Sequence, residues 1–460
     1  MSRPPAPCAS ILDAVGATPL VRLERIGRGL RTPVLGKAEN LNPGGSVKDR
    51  IGLAIIEGAE RRGDLKPGGV IVEATSGNTG VGLAVAAAIK GYRCIFTIPD
   101  KMSSEKIRLL RGFGAEVVVV PTAVPPGHPE HFLEKAIGIV RSTPGAVLAN
   151  QFENADNPEA HYRTTGPEIW EQTEGRVTHF VCGSGTGGTI TGVGRYLKEQ
   201  NPAVRVVGGD PVGSSYAGYG RTRKLEAGGP YKVEGIGGDR IPGTLDFHVV
   251  DEWMSVSDAD AFGTARRLTR TEGIFSGGSS GLNVFCALEL ARRLDDPEAM
   301  VVTILCDTGE RYLSKLYDDN WMRENQLLDA ERRTAGQLLE RHPEGVPPIV
   351  SVGPTANLRQ ALNLLSTWGL SQLPVIDGDD CVGSVGEGLM ARVLEDSALL
   401  DRPVSEVMAG PFPVVDPDVP LDRLATMLSK ETPAALVRDG GRLVGIVNRY
   451  DVLREVAGIG

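Results

Sequence analysis

The 460-residue sequence lacks the features that mark membrane-spanning, secreted and nucleic-acid-binding proteins. No apolar run approaches the roughly 20 residues that a membrane-spanning helix needs. The N-terminus, MSRPPAPCAS, has no apolar core of the kind found in signal peptides. The formal net charge of -9 argues against broad nucleic-acid binding. We therefore expect no membrane partner and no nucleic-acid partner.

Cysteine is also scarce. The six cysteines are scattered, with no CxxC pair and no cysteine–histidine cluster at the spacing of a zinc site. Neither a disulfide framework nor a metal site is expected, and the reducing cytoplasm is the default compartment.

What the sequence does contain, from about residue 14 to residue 319, is an alternation of β-branched runs and helical patterns. Helices are predicted at 80–90 and 104–111, and strands at 70–74, 94–98, 116–120, 179–182, 204–208 and 301–305. Strands that are apolar throughout and separated by helices imply parallel sheets with helices on both faces. At roughly 150 residues per domain, the length predicts about three units.

The character of the sequence changes near residue 325. A charged and then Pro-rich segment predicts a linking helix followed by a domain boundary. Beyond it, a helix–strand–turn–strand–helix pattern occurs twice with an offset of 62 to 63 residues. The predicted domains are 1–325, a linker at 326–348, and two small domains at 349–403 and 404–460.

The segment NPGGSVKDR, residues 42–50, contains the first candidate catalytic residue. Ser46, with Asp49 three residues later, resembles the cap of a helix predicted over 51–61. Lys48 would then lie in the first turn, where the helix dipole disfavours a cation. One interpretation is that Lys48 points into water. The other is that its pKa is depressed, giving the neutral amine that forms a Schiff base with a carbonyl cofactor.

Three turns rich in glycine and hydroxyl groups each join a strand to a helix. TSGNTG, residues 75–80, predicts either a carboxylate site or an ordinary helix cap. GSGTGGT, residues 183–189, predicts a phosphate site. It also matches GxGxxG with Asp210 following at 22 residues, so a dinucleotide site stays open. SGGSSG, residues 276–281, predicts a helix cap or a neutral hydroxyl that bonds an aromatic nitrogen.

Together and in this order, PGGSVKDR, TSGNTG, GTGGT and GGSSG resemble the β-family of pyridoxal-phosphate enzymes, over about residues 10–325. The resemblance implies an α/β, two-subdomain, fold-type II enzyme like the tryptophan synthase β subunit, with pyridoxal 5′-phosphate as cofactor. It implies that Lys48 forms the Schiff base and acts as general base, that Asn78 bonds the ring hydroxyl, and that Ser279 bonds the pyridine nitrogen. The implied phosphate ligands are Gly183, Ser184, Gly185, Thr186, Gly187, Gly188 and Thr189. The implied substrate-carboxylate ligands are Thr75, Ser76, Gly77, Thr79 and Gln151.

Within that family, segments 156–162, 209–214 and 233–237 are similar to those of cystathionine β-synthases. This similarity implies condensation of L-serine with L-homocysteine to L-cystathionine and water, with Glu234 as a candidate second-substrate or loop-closing residue. Members commonly carry Tyr after the GIG segment, where this chain has Gly238. The haem-binding extension of the animal enzymes has no counterpart ahead of Lys48, so no haem is expected.

The C-terminal repeat resembles a tandem CBS-domain module of α+β architecture, the regulatory half of those enzymes. Such pairs commonly bind adenosine compounds, with an Asp holding the ribose hydroxyls. Asp451 fits this role six residues after Gly445, whereas the first copy has Leu389, which cannot accept a hydrogen bond. At most one ligand per chain is expected, for example S-adenosylmethionine. The alternative is that Asp451 only caps the last helix.

Three other functions stay open. Segment 164–170 is similar to cysteine synthases, so the chain could use O-acetylserine and sulfide. A nicotinamide-dependent oxidoreductase would leave Lys48, Asn78 and Ser279 without a role. A nucleotide sensor with an inactive N-terminal scaffold is disfavoured by the intact Lys48. A homodimer or homotetramer is expected.

Overall fold

The computed structural model describes residues 7–75, 77–100, 102, 104–122, 124–125, 127–328, 334–339, 347–386, 388–429 and 432–456. The chain divides into two compact units, Met1–Leu328 and Asp329–Gly460, which we call the N-terminal and C-terminal units. Among the described residues, no helix is both long enough and apolar enough to cross a membrane.

The larger sheet of the N-terminal unit has six strands in the order β1-β2-β10-β7-β8-β9. All neighbours are parallel except β1 and β2, which are antiparallel. The strands are β1 (Leu20–Arg22), β2 (Val34–Ala38), β7 (His179–Gly183), β8 (Arg205–Pro211), β9 (Glu252–Val256) and β10 (Val301–Leu305). All five residues of β10 are buried, as expected for a central strand covered on both faces.

The smaller sheet of the N-terminal unit has four parallel strands in the order β5-β4-β3-β6. They are β3 (Val70–Ala74), β4 (Arg93–Pro99), β5 (Glu116–Val120) and β6 (Ala146–Leu148). The predicted strands therefore fall into two separate sheets, each with its own apolar core.

Eleven α-helices of the N-terminal unit lie among the described residues. They are α1 (Lys48–Arg62), α2 (Asn78–Lys90), α3 (Ser104–Gly112), α4 (Phe132–Ser142), α5 (Asp156–Ala160), α6 (Gly166–Gln172), α7 (Gly188–Gln200), α8 (Tyr216–Thr222), α9 (Asp258–Glu272), α10 (Gly278–Leu294) and α11 (Asp319–Glu324). A π-helical turn, His161–Thr165, joins α5 to α6.

Two glycines bring the start of α1 against α2. A Cβ on Gly82 of α2 would lie 2.3 Å from the Lys48 carbonyl oxygen, and one on Gly52 would lie 2.3 Å from the backbone of Gly82. No side chain fits at either position, so the absence of side chains permits this close packing. The contact fixes the first turn of α1, and with it Lys48, against the smaller sheet's first helix.

The start of α1 corrects one prediction. The helix begins at Lys48 rather than Ile51, and its N-cap is Val47 rather than Ser46. The Ser46 hydroxyl accepts from the Lys48 backbone N–H at 3.2 Å, while Asp49 bonds the Gly44 N–H instead of the Ser46 backbone. Because Asp49 is drawn back towards Gly44, no capping box forms and the helix starts two residues after Ser46.

The C-terminal unit contains the predicted repeat. The first copy has α13 (Leu358–Trp368), β11 (Gln372–Asp377), β12 (Asp380–Gly386) and α14 (Leu389–Glu395). The second has β13 (Val414–Val415), α15 (Leu421–Met427), β14 (Ala434–Asp439), β15 (Arg442–Asn448) and α16 (Arg449–Val456). A short helix, α12 (Ala335–Leu339), precedes both copies. The predicted linker at 326–348 lies partly outside the described residues.

Candidate active site

Lys48 lies at the first position of α1 and is partly buried in the N-terminal unit. Burial lowers the pKa of its amine, and the weaker opposite effects come from Cys306, Cys182 and Asp307. No hydrogen bond or ion pair joins its Nζ to another described residue. An amine that is buried without a counterion favours the neutral form. The lysine is thus suited to act as a nucleophile and as a base.

The glycine-rich loop Gly183–Gly188 runs from the end of β7 to the start of α7. Gly187 has a left-handed φ of 87°, and a Cβ on Gly185 would lie 2.3 Å from the Gly235 carbonyl oxygen. The Ser184 hydroxyl is buried and has no hydrogen-bond partner within the described part of the chain. Backbone N–H groups at the N-terminus of α7 add further donors. The loop forms a cradle of unused donors that suits a phosphate.

Asn78, the first residue of α2, has both ends of its amide held by protein groups. Its Nδ2 donates to Asp307 Oδ2 at 2.7 Å, and its Oδ1 accepts from Arg311. Asp307 is fully buried and also accepts from the Tyr312 hydroxyl at 2.7 Å. Asn78 therefore presents a fixed amide to the site. The sequence motifs did not indicate Asp307 or Arg311, because both lie more than 200 residues further along the chain.

Ser279 lies in the first turn of α10 and is 5% exposed. The Cys306 thiol lies near this hydroxyl, and burial raises the pKa of that thiol to about 12. The Asn283 amide donates to the Cys306 sulfur at 3.3 Å. The Cys306 thiol near Ser279 and the Asn283 amide that bonds this thiol are therefore both neutral at physiological pH.

The residues predicted to hold a substrate carboxylate come together at the ends of β3 and β6. Thr79 donates from its hydroxyl to Gln151 Oε1 at 2.6 Å, and the Gly77 N–H donates to Thr75 Oγ1 at 3.3 Å. Beneath them, Glu73 of β3 accepts from the Asn150 N–H at 2.6 Å. Burial raises the pKa of Glu73 to about 7. Ser76 lies outside the described residues.

Glu234 lies between two lysines that the sequence did not single out. Its Oε1 accepts from Lys315 Nζ at 2.7 Å, and its Oε2 accepts from Lys106 Nζ. Lys106 is 6% exposed, and the end of its side chain is 3.7 Å from where a Cβ on Gly77 would be. These lysines hold the pKa of Glu234 below its ordinary value, although burial alone would raise it. A carboxylate and two ammonium groups therefore lie beside the substrate-carboxylate residues.

A cleft of about 350 Å³ opens beside Lys106 and Arg311. Gly44 and Gly45, just before Lys48, form part of its wall, and Lys106, Thr308 and Arg311 line other sides. The volume is at the lower end of small-molecule sites and is large enough for an amino acid.

Asp210 does not serve a dinucleotide. It is fully buried, and its Oδ2 accepts from the Ala217 N–H at 2.7 Å. Burial raises the pKa of this carboxyl to about 6. A ribose could not reach it, so the geometry does not support the nicotinamide interpretation of the glycine-rich loop.

The residues present fit pyridoxal phosphate. A buried amine, a glycine cradle with an unpartnered serine hydroxyl, a fixed amide and a neutral hydroxyl match its aldehyde, phosphate, ring hydroxyl and ring nitrogen in chemical type. No group of three or more His, Cys, Asp or Glu side chains within the described ranges is arranged to hold a metal ion.

Asp451 belongs to the C-terminal unit and lies in the first turn of α16. Its Oδ2 accepts from the Asn448 N–H at 2.7 Å, and the Asn448 Oδ1 accepts from the Asp451 N–H at 3.1 Å. The carboxylate therefore caps the helix. Ligand binding by the same group stays a prediction.

Comparison with known proteins agrees with this site. The family model "Pyridoxal-phosphate dependent enzyme" matches residues 11–307, and the model "CBS domain" matches residues 345–395 and 404–458. The chain is similar to cystathionine beta-synthase of Dictyostelium discoideum, at 38% identity over 96% of this chain and 91% of that protein. It is equally similar to cystathionine beta-synthase of Oryctolagus cuniculus, at 38% identity over 100% of this chain and 87% of that protein.

Among solved structures, the chain is similar to a hydrogen sulfide-producing enzyme from Fusobacterium nucleatum. The identity is 37% and the TM-score 0.62, over 66% of this chain and 100% of that one. The predicted fold class and the predicted cofactor are both confirmed. The chain belongs to the cystathionine β-synthase family of pyridoxal-phosphate-dependent enzymes, with two C-terminal CBS domains.

Proposed function

We propose that this chain condenses L-serine with L-homocysteine to give L-cystathionine and water. The observation that carries the proposal is the Lys106–Glu234–Lys315 cluster beside the substrate-carboxylate residues. A second substrate that is itself an amino acid brings an ammonium and a carboxylate, which the two charge signs of the cluster complement. Sulfide brings neither group. The names of the curated relatives support the same reaction.

The roles proposed for the residues follow from their environments. When bound, pyridoxal phosphate acts as an electron sink that acidifies the Cα–H of the amino acid. Lys48 then serves as general base, because its buried amine has a lowered pKa. Thr75, Gly77, Thr79 and Gln151 bind the serine carboxylate. Ser279 would offer the ring nitrogen of the bound cofactor a neutral hydroxyl rather than an anion.

The test compares two reactions. Serine with homocysteine is expected to give cystathionine faster than O-acetylserine with sulfide gives cysteine. A reversed preference would replace the proposal by cysteine synthase, an activity consistent with segment 164–170.

A matched variant sharpens this test. Glu234→Gln should raise KM for homocysteine about tenfold while leaving KM for sulfide unchanged, because only homocysteine has an ammonium to bind. Glu226→Gln, at an exposed glutamate earlier in the chain than Glu234, is the control. Equal effects of Glu234→Gln on both donors would remove Glu234 from the second-substrate site.

For the C-terminal unit we propose at most one adenosine ligand per chain, such as S-adenosylmethionine, held through Asp451. Leu389 at the equivalent place offers no acceptor in the first copy. Calorimetry on the parent and on Asp451→Ala should show binding that weakens in the variant; Asp439→Ala, at an exposed hairpin, is the control. Two sites per chain, or undiminished binding to Asp451→Ala, would contradict this assignment.

The compartment and the assembly complete the proposal. We expect a cytoplasmic homodimer or homotetramer. All six cysteines are unpaired, which supports a reducing compartment.

A further inference from the structure

We infer that Glu73 is a positioning residue of the substrate-carboxylate pocket, and that it acts by fixing the orientation of the Gln151 amide. Nothing in the sequence motifs pointed to this residue, which lies on β3 just ahead of TSGNTG. The inference rests on the proposed role of Gln151 in binding the amino-acid carboxylate.

Glu73 holds the segment that carries Gln151. Its Oε2 accepts from the Asn150 N–H at 2.6 Å, and its Oε1 accepts from the Gln151 N–H at 3.4 Å. Asn150 has a left-handed φ of 54°, so the chain turns sharply where it leaves β6. Both N–H groups of this turn point at one carboxylate, which therefore defines where the Gln151 side chain begins.

Glu73 also decides which end of the Gln151 amide faces which neighbour. The Thr79 hydroxyl donates to Oε1 at 2.6 Å, and the other end of the Gln151 amide lies near Glu73. Both Glu73 oxygens already accept from backbone N–H groups, so the donating NH₂ is the end of the amide that suits them. That NH₂ has a second hydrogen, which remains available to a ligand. If the amide were reversed, its oxygen would repel an incoming carboxylate.

The cost of burying Glu73 supports a functional role. The residue is 2% exposed, and no lysine or arginine within the described residues forms an ion pair with it. Glu39, the other fully enclosed glutamate of this unit, forms an ion pair with Arg50 at 2.7 Å. A buried carboxylate without a cation is expensive, and an apolar residue would fill a strand position more cheaply. The hydrogen bonds to the pocket are what Glu73 gains in return.

The test measures calorimetric binding of L-alanine to the holoenzyme, because L-alanine has the carboxylate but no leaving group. Ethylamine, which has the amine without the carboxylate, is the second probe. The proteins are the parent, E73Q, Q151A and the double variant. E116Q, an exposed glutamate on β5 of the same sheet, is the matched control.

We expect E73Q and Q151A each to weaken L-alanine binding about tenfold. The double variant should bind no more than twofold more weakly than Q151A, since Glu73 acts through Gln151. Ethylamine binding should be unchanged in E73Q, and E116Q should match the parent with both probes. Unchanged L-alanine binding in E73Q, or fully multiplicative losses in the double variant, would overturn the inference.

Two further measurements keep the outcomes distinct. If E73Q fails to take up the cofactor, E73D replaces it: weakened L-alanine binding with normal ethylamine binding supports the inference, and parent-like binding overturns it. L-alanine binding does not depend on the sulfur donor. A failure of the proposed condensation with homocysteine would therefore leave this result standing, and the reverse is equally true.

Discussion

The close packing around Gly238 predicts how a substitution there changes the stability of the fold. The resemblance to the family leads one to expect Tyr there. A Cβ on Gly238 would lie 2.3 Å from the Tyr216 phenolic oxygen and 2.8 Å from its Cζ. Tyr216 is 1% exposed, and its hydroxyl donates a hydrogen bond at 2.9 Å to the carbonyl of Gly185 in the glycine-rich loop. The phenol thus occupies the space that a side chain at 238 would need.

The magnitudes follow from this overlap. Gly238→Ala should destabilise the N-terminal unit by about 1–3 kcal/mol, because the contact is too close for a buried, hydrogen-bonded ring to relieve cheaply. Tyr216→Leu should cost about 2–3 kcal/mol through lost packing and the stranded Gly185 carbonyl. In the double variant the ring that opposes the alanine is gone. We therefore expect a favourable coupling of about 1–2 kcal/mol, leaving the double variant close to Tyr216→Leu alone.

Urea denaturation of the four proteins tests this expectation. Trp253 packs against Phe247 at 5.4 Å, next to Tyr216, so tryptophan fluorescence reports on this region. Because two units need not unfold together, the relevant midpoint is that of the transition in which the cofactor absorbance is also lost. Simple additivity of the two single changes would refute the argument that Tyr216 and Gly238 compete for one space.

The other predictions address the lysine, the ring nitrogen, a titrating acid and a buried ion pair. Lys48→Ala should abolish turnover and the visible absorbance band of the bound cofactor, and a variant that keeps its rate would remove Lys48 from catalysis. Ser279→Asp should slow elimination by protonating the ring nitrogen, as stopped-flow absorbance would show, whereas equal rates would refute the need for a neutral partner. The pKa of Glu73 rises from 4.5 to about 7 on folding, so the folded state binds the proton more tightly than the unfolded state. The free energy of unfolding should therefore fall as the pH rises from 4.5 to about 7, and E73Q should flatten that part of the pH profile. Glu39→Gln should lower the free energy of unfolding by about 1.5–3 kcal/mol, measured by urea denaturation, because it removes one of the two carboxylates that bond the buried Arg50 at 2.7 Å while Glu168 remains; unchanged stability would contradict this.

The parts of the fold that the sequence predicted are those set by local pattern. The strands at 70–74, 116–120 and 301–305 are found at the predicted residues, because β-branched runs between glycine-rich turns have few alternatives. Sheet membership was not predictable. Strands β6 and β7 follow one another in the chain but belong to different sheets. Strands β2 and β10 pair although more than 260 residues separate them. Pairing of that kind depends on the packing of whole layers, which no local window contains.

The same contrast separates the parts of the site that the motifs indicated from those they could not. Lys48, Asn78 and Ser279 lie in glycine- and hydroxyl-rich segments, and the resemblance of these segments to a known family implied their roles. Lys106 and Lys315 gave no such signal, since a lone lysine in a helical or loop segment is normally solvated. Their function depends on a carboxylate more than 80 residues away from either, Glu234.

Glu73 shows that the role of a residue can depend on its burial, which the sequence does not reveal. In the sequence it interrupts an apolar strand, and a single acid at that place reads as the solvent-facing residue of a strand end. Its meaning changes once both faces of β3 are covered, because a charge then needs donors and the nearest ones belong to Asn150 and Gln151. A buried acid without a cation is therefore informative only when the layers around it are known. Where such an acid bonds a ligand-binding segment, it fixes the geometry of that segment. The burial of the acid lowers the stability of the fold.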